Sequence, residues 1–257
     1  MDWASTVREV DPDRYFATLF APADRRDALL SLYAFDAEIA SLRRKVREGM
    51  AGEIRLRWWS DALSAPATER SGNPLADALK ETIERHHLPR EAFNTYLDAR
   101  IADLYDDPFA TRTDLEAYAG QTAGLIMQLA CLILSQGNAH RAADACGHGG
   151  CLSVLDHLLR ARLRPHSLLP DDILAAVGVG RADMGDDDLP AALAGAMRAL
   201  ALEHAGAFLK AADAAPAEVR AAFVHLAPRL APGAHPGRLR RQWSMLKVAT
   251  RGWPQRI

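Results

Sequence analysis

The chain has 257 residues, 49% of them hydrophobic, with 31 basic against 33 acidic side chains. It is long enough and apolar enough for a large core, and its near balance of charge gives no general pull toward nucleic acid. Three cysteines, Cys131, Cys146 and Cys151, are too few and too irregularly spaced for a disulfide framework, which points to a reducing cytoplasm.

The first residues carry Asp2, Arg8, Glu9, Asp11 and Asp13, a pattern unlike a signal or transit peptide. Strand signals are nearly absent and Ala and Leu dominate, so helices are predicted throughout. A short helix is predicted over Asp13 to Leu19. Pro22 then suits a first helical turn, and a long helix is predicted to about Glu48, with Leu29, Leu32, Phe35, Ile39, Leu42 and Val46 as its buried stripe. Gly49 and Gly52 punctuate before a helix over Glu53 to Leu63 that carries Trp58-Trp59. Asn73-Pro74 opens a helix to His87. Pro89 opens another, ending by Asp107-Pro108.

Thr111 or Thr113 caps a helix that runs through Tyr118 into the apolar stretch ending near Leu134. Its most apolar part, from Ala123, is about twelve residues and too short to span a bilayer. Asn138 opens a helix past Gly147, Gly149 and Gly150 to about Arg164. Pro170-Asp171-Asp172 begins a short one, and residues 180–190 read as an acidic loop. Helices over Leu193 to Ala212, Pro216 to Leu226 and Pro236 to Gly252 complete the set. No linker divides the chain, which predicts one all-α domain over 1–257.

Several local patterns recur in a family's order and spacing. Asp13-Arg14-Tyr15 and Arg25-Arg26 precede Leu29-Leu30-x-Leu32-Tyr33-Ala34-Phe35. Trp58-Trp59-x-Asp61-Ala62-Leu63, Asn73-Pro74-Leu75, Leu88-Pro89 and Asp103-Leu104 follow. Then come Leu115-x-x-Tyr118, Ala123-Gly124 and Leu158-Leu159-Arg160 before Pro170. Together they resemble the squalene/phytoene synthases over nearly the whole chain. The resemblance implies an isoprenoid-synthase-type helical bundle with a central cavity. Active members of that family couple two prenyl diphosphates head to head. Two facing carboxylate clusters hold Mg²⁺, whose charge lets the diphosphate leave.

On this chain the first cluster's three aspartate positions fall on Ala40, Ser41 and Arg44. The second motif falls on His157 to Pro165, where only Arg160 is kept and the aspartates become Ala161 and Pro165. With Arg43, Arg44, Arg160, Arg162 and Arg164 nearby, the expected mouth is cationic and repels Mg²⁺. The candidate ligand-binding residues carried over by the resemblance are Arg25, Tyr33, Phe35, Arg44, Asp103 and Arg160. Arginine receives a diphosphate without metal, but does not replace magnesium in driving its ionisation.

Other chemistry-bearing residues read less sharply. Asp36 and Glu38 do not share a helix face, so one of them is expected to meet solvent. Asp103, Asp106 and Asp107 end a helix, an unfavourable place for negative charge. His148, His157 and His166 recur every nine residues, and neighbours point to opposite helix faces, which is poor spacing for zinc. Cys146 and Cys151 read as buried small side chains. Gly147-His148-Gly149-Gly150 is no phosphate loop, and Ser41 and Ser153 lack a nucleophile's partners. From His235 to Ile257 there is no acidic residue, while Leu239, Trp243, Leu246 and Trp253 follow helical spacing. Arg240, Arg241, Trp243 and Lys247 are therefore candidate contacts to an anionic membrane or an acidic partner; the alternative is a helix whose apolar face closes the bundle.

The departures resemble the branch of the family that includes a mitochondrial complex I assembly factor. The resulting expectation is a non-catalytic protein without a cofactor, cytoplasmic and peripheral on the inner face of the membrane. It would bind an isoprenoid diphosphate, a lipid or a respiratory-complex subunit, and no nucleic acid. The rival expectation is an active prenyl-diphosphate transferase with displaced ligands, which would need Mg²⁺.

Overall fold

Polar caps and prolines set most of the helix starts. The computed structural model describes residues 3–46, 48–105, 107–135, 137–160, 168–181, 184, 189–231 and 236–255. Helix α1 spans Trp3–Val10, and α2 spans Pro12–Thr18 behind Asp11, whose carboxylate accepts the Arg14 N–H at 3.0 Å. Helix α3, Ala23–Ala40, follows Pro22. The single long helix predicted to Glu48 is interrupted at Ser41. A one-turn helix, α4 (Leu42–Lys45), follows, and the backbone is extended at Val46. Helix α1 was not predicted, although Trp3, Val7 and Val10 recur at helical spacing; it is only eight residues long and buries Val7.

Helix α5 is Gly49–Ser64. Asn73 caps α6, Pro74–His86, accepting the N–H groups of Leu75 and Ala76, and His87 closes it with a left-handed φ of 51°. Helix α7, Arg90–Ala99, tightens into a 3₁₀ turn over Arg100–Leu104. Thr111 and Asp114 form a reciprocal capping box on α8, Arg112–Ala119. A π turn, Gly120–Gly124, joins α8 to α9, Leu125–Leu134. The joined helix, Arg112–Leu134, has 23 residues and is long and apolar enough to cross a membrane, but 67% of its most apolar window is buried within the protein. It serves here as a core helix.

A 3₁₀ turn, Ala139–Ala142, leads into α10, Ala143–Arg160. The continuation predicted to Arg164 lies outside the described residues, as does most of the acidic loop. Helices α11 (Asp171–Ala176) and α12 (Ala191–Ala214) follow, then 3₁₀ turns over Ala217–Ala222 and Val224–Leu230, and α13, Arg238–Arg251. No strand occurs among the described residues.

Two apolar clusters build the core. One joins α3, α5, α6, α7, α9 and the 3₁₀ turns after α12, with Leu29, Leu32, Phe35, Phe93, Ile126 and Phe223 fully buried. The other packs Leu115, Leu152, Leu155, Leu158 and Met197 between α8, α10 and α12. Helix α10 crosses the π turn at close range. A Cβ added at Gly150 would lie 2.6 Å from the Gly124 nitrogen and 2.7 Å from the Ala119 carbonyl oxygen. Two small residues are what let these backbones meet.

Candidate functional site

A chain of buried polar side chains lies between the two apolar clusters. Tyr96 belongs to one cluster and Tyr118 to the other, and the Arg100 guanidinium bonds both, at 3.2 and 3.1 Å. Arg100 also donates to Asp36 at 3.2 Å and to Asp103 at 3.0 Å. From α2, Arg14 donates to the second oxygen of Asp36, and its guanidinium lies 5.2 Å from the Tyr33 ring centroid. The Tyr96 hydroxyl also donates to Asp36. The Tyr118 hydroxyl donates to Asp103 at 2.5 Å.

These contacts fix the protonation states. Burial opposes ionisation of Asp36, but Arg14, Arg100 and the Tyr96 hydroxyl overcome it and lower the pKa to about 2. Burial raises the phenols of Tyr33, Tyr96 and Tyr118, so they stay protonated and act as donors. Asp36 is thus a saturated carboxylate. It accepts from two arginines and a tyrosine, which leaves little for a cation.

A second group forms on α10. Asp156 is 2% exposed; it accepts Arg160 Nε at 2.8 Å and pairs with Arg229 Nε at 3.6 Å. Arg160 Nη2 is buried without a hydrogen-bond partner. Partial burial, then the charges of Arg229, Arg100 and Arg44, lower the pKa of His157, against the opposing pull of Asp156. That set of neighbours brings the end of α10, the 3₁₀ turn after α7, and α4 to one region. His225 lies buried beside it, and burial, Arg14 and Arg229 hold its imidazole well below its ordinary pKa.

The sequence-predicted residues fall into three classes. Asp103 and Arg160 sit in these groups, and Arg44 is exposed at their edge. Tyr33 and Phe35 are core residues. Phe35 is fully buried among Trp59, Phe93 and Tyr96, with centroids 5.1, 5.8 and 5.4 Å away. Arg25 stands apart and ties α3 to α6 and α9 through His86 at 3.0 Å and the Ile133 carbonyl at 3.3 Å. Asp36 is buried while Glu38 reaches out to Lys45, so the two carboxylates do face apart.

Two open clefts stand out, of about 460 and 350 Å³. The larger includes Asp98, Phe109, Asp114 and Tyr118, and the smaller includes Trp3, Ser31 and Thr82. Neither is lined by Arg25, Tyr33, Phe35, Arg44, Asp103 or Arg160. On α13, Arg241 does not face outward as expected: it bonds Asp13 of α2. Arg240, Trp243 and Lys247 are exposed.

The described donor set offers no magnesium cluster. Among the described residues no group of three or more His, Cys, Asp or Glu side chains is placed to hold a metal ion. Asp36, Asp103 and Asp156 carry arginine partners instead. His148 pairs with His204 at 3.1 Å, and the far nitrogen of His204 meets Glu116 at 3.1 Å, so both rings are engaged within the protein. Ala161, Arg162, Arg164, Pro165, His166 and Asp106 lie outside the described residues.

Arg14, Tyr96, Arg100, Asp156 and Arg229 were not picked out from the sequence as site residues. A local signal existed for Arg100, which follows Tyr96 by four positions and precedes Asp103 by three. Its link to Asp36, 64 residues away, leaves no local trace.

A family model described as squalene/phytoene synthase matches residues 7–242. Among curated proteins, the human and bovine "NADH dehydrogenase (ubiquinone) complex I, assembly factor 6" are each 28% identical over 182 residues, 69% of this chain and 54% of theirs. The Drosophila melanogaster homolog is 27% identical over 190 residues, 69% of this chain and 56% of its own length. The chain therefore spans about half the length of the curated relatives it matches. Among solved structures, a dehydrosqualene synthase in complex with ligand superposes with a TM-score of 0.73 at 15% identity, covering 96% of this chain and 93% of that one. A squalene synthase from Alicyclobacillus acidocaldarius gives 0.67 at 18% identity, covering 97% and 92%. At these identities the superpositions show a shared all-helical fold.

Proposed function

Because the chain belongs to the squalene/phytoene synthase family, we propose that it is a member that has kept the scaffold and lost the diphosphate-ionising chemistry, and that it acts by binding. One observation carries this reading. Asp36, Asp103 and Asp156, the carboxylates of the two polar groups, are each held by arginine: Arg14 and Arg100, Arg100, and Arg160 with Arg229 respectively, while Glu38, close to the first motif in sequence, is held by Lys45. Ala40, Ser41 and Arg44 stand where the first motif's aspartates belong, and Ala161 and Pro165 where the second's belong. A carboxylate already neutralised by guanidinium groups attracts a dication weakly, and an arginine-rich surround repels it.

The likeness to assembly factor 6 proteins of complex I supports a role in assembling that respiratory complex, with a complex subunit as partner. The exposed Arg44 and the incompletely bonded Arg160 suit an anionic group, so an isoprenoid diphosphate is the small-molecule ligand this reading admits.

The test is diphosphate release from farnesyl or geranylgeranyl diphosphate with Mg²⁺, beside the same mixture with chelator. No metal-dependent release is expected from the folded protein. Release with a coupled hydrocarbon product would instead establish an active prenyl-diphosphate transferase using displaced ligands. The assembly role is tested separately: disrupting the gene in its source organism should lower the amount of assembled NADH:ubiquinone oxidoreductase, and unchanged assembly would sink that role.

A further inference from the structure

Helix α13 carries two apolar faces on opposite sides. Met245 and Val248 turn inward and are buried. Just beyond the helix, Trp253 packs on Phe208 with ring centroids 4.8 Å apart. These contacts already close the bundle. Leu239, Trp243 and Leu246 point the other way, 82%, 58% and 36% exposed. Their spacing of four and three places them on one ridge with Thr250. Arg240, Lys247 and Arg251 flank that ridge on one side and are exposed, as is Arg238 at the helix start. The Lys247 ammonium lies 5.7 Å from the Trp243 ring centroid. Among the described residues the carboxylate bonded to this helix is Asp13, and it takes Arg241 on the inward side. No acidic residue occurs between 236 and 255.

We propose that the outer ridge of α13 is a docking surface for an anionic lipid bilayer, lying flat with Leu239, Trp243 and Leu246 at the acyl boundary and the basic flank against headgroups. Three physical points select this occupant. All three apolar side chains of the ridge are exposed, which leaves them open to a deformable bilayer surface. Tryptophan beside leucine, with a lysine at the ring, matches the composition of an interfacial helix. Its uniform positive charge disfavours a second copy of the same surface and favours an anionic plane. The inward residues keep their contacts when the ridge is occupied, so docking requires no rearrangement of the fold. This surface is independent of the arginine-held carboxylates, and its test says nothing about turnover.

The test is cosedimentation of the full chain with vesicles of phosphatidylcholine containing about a third phosphatidylglycerol, beside phosphatidylcholine alone. Binding is expected to the anionic vesicles, to weaken as salt rises, and to fall roughly tenfold or more in a Leu239→Ser/Trp243→Ser variant. An Arg240→Glu/Lys247→Glu variant tests the charge independently and is expected to lose the preference for anionic vesicles. All four side chains are exposed, so both variants should keep the parent's helical spectrum and melting temperature. Absence of binding to anionic vesicles would overturn the assignment. So would equal binding by the parent and both variants, or equal binding to neutral vesicles. Retention on an acidic polypeptide without vesicle binding would reassign the ridge to a protein partner.

Discussion

Asp36 shows how one side chain decides between structure and chemistry. Its two guanidinium partners are themselves largely buried, with Arg14 and Arg100 side chains 10% and 14% exposed. Removing the carboxylate charge leaves Arg14 with only the longer pair to Asp11, at 3.7 Å, and Arg100 with Asp103 alone, at 3.0 Å. Asp36→Asn is therefore expected to cost about 3–5 kcal/mol of unfolding free energy, read from the urea midpoint. The same pairing has a pH signature. The folded pKa of about 2 lies below the reference value of 3.8, so the unfolded chain takes up the proton first as acid is added. The stabilisation is complete above about pH 4 and is lost as pH falls toward 2. In Asp36→Asn that part of the acid dependence should be absent. Sequence made Asp36 visible as a candidate but gave no reason to see its partners, which stand 22 and 64 positions away. A helix period reports which face a carboxylate takes, not what waits on the neighbouring helix.

At the scale of elements, the crossing of α10 over the π turn is the tightest backbone approach described. Gly150→Ala puts a methyl group against backbone atoms of Gly124 and Ala119, which cannot swing aside as a side chain can. The expected cost is about 1–3 kcal/mol, measured as a lowered melting temperature. Gly147, three residues earlier in the same helix, has nothing within 4 Å of its added Cβ. Gly147→Ala should raise stability by about 0.5–1 kcal/mol, since alanine favours the helix and no neighbour objects. This contrast was not legible in the chain, where the glycines form one cluster with one local meaning. The starts at Asn73-Pro74 and Thr111 were legible, because a cap is a local bond between a side chain and the next turn. The interruption at Ser41 was not, since no proline or glycine marks it.

At the scale of the molecule, the two polar groups tie distant segments together. Arg14 lies on α2, Asp36 on α3, Arg100 after α7, Tyr118 on α8, Asp156 on α10 and Arg229 after α12, and each is bonded across elements. Far-ultraviolet dichroism and tryptophan fluorescence are therefore expected to report the same thermal transition; two separated transitions would show that part of the bundle unfolds independently. The pair between Asp13 and Arg241 adds a consequence for synthesis. Its partners are 228 residues apart. At about 5–20 residues per second, α2 leaves the ribosome roughly ten to fifty seconds before α13 exists to cover it. Through that interval Asp13 lacks its cation. Such a nascent chain offers a chaperone a defined period of access, which ends when α13 folds back onto α2.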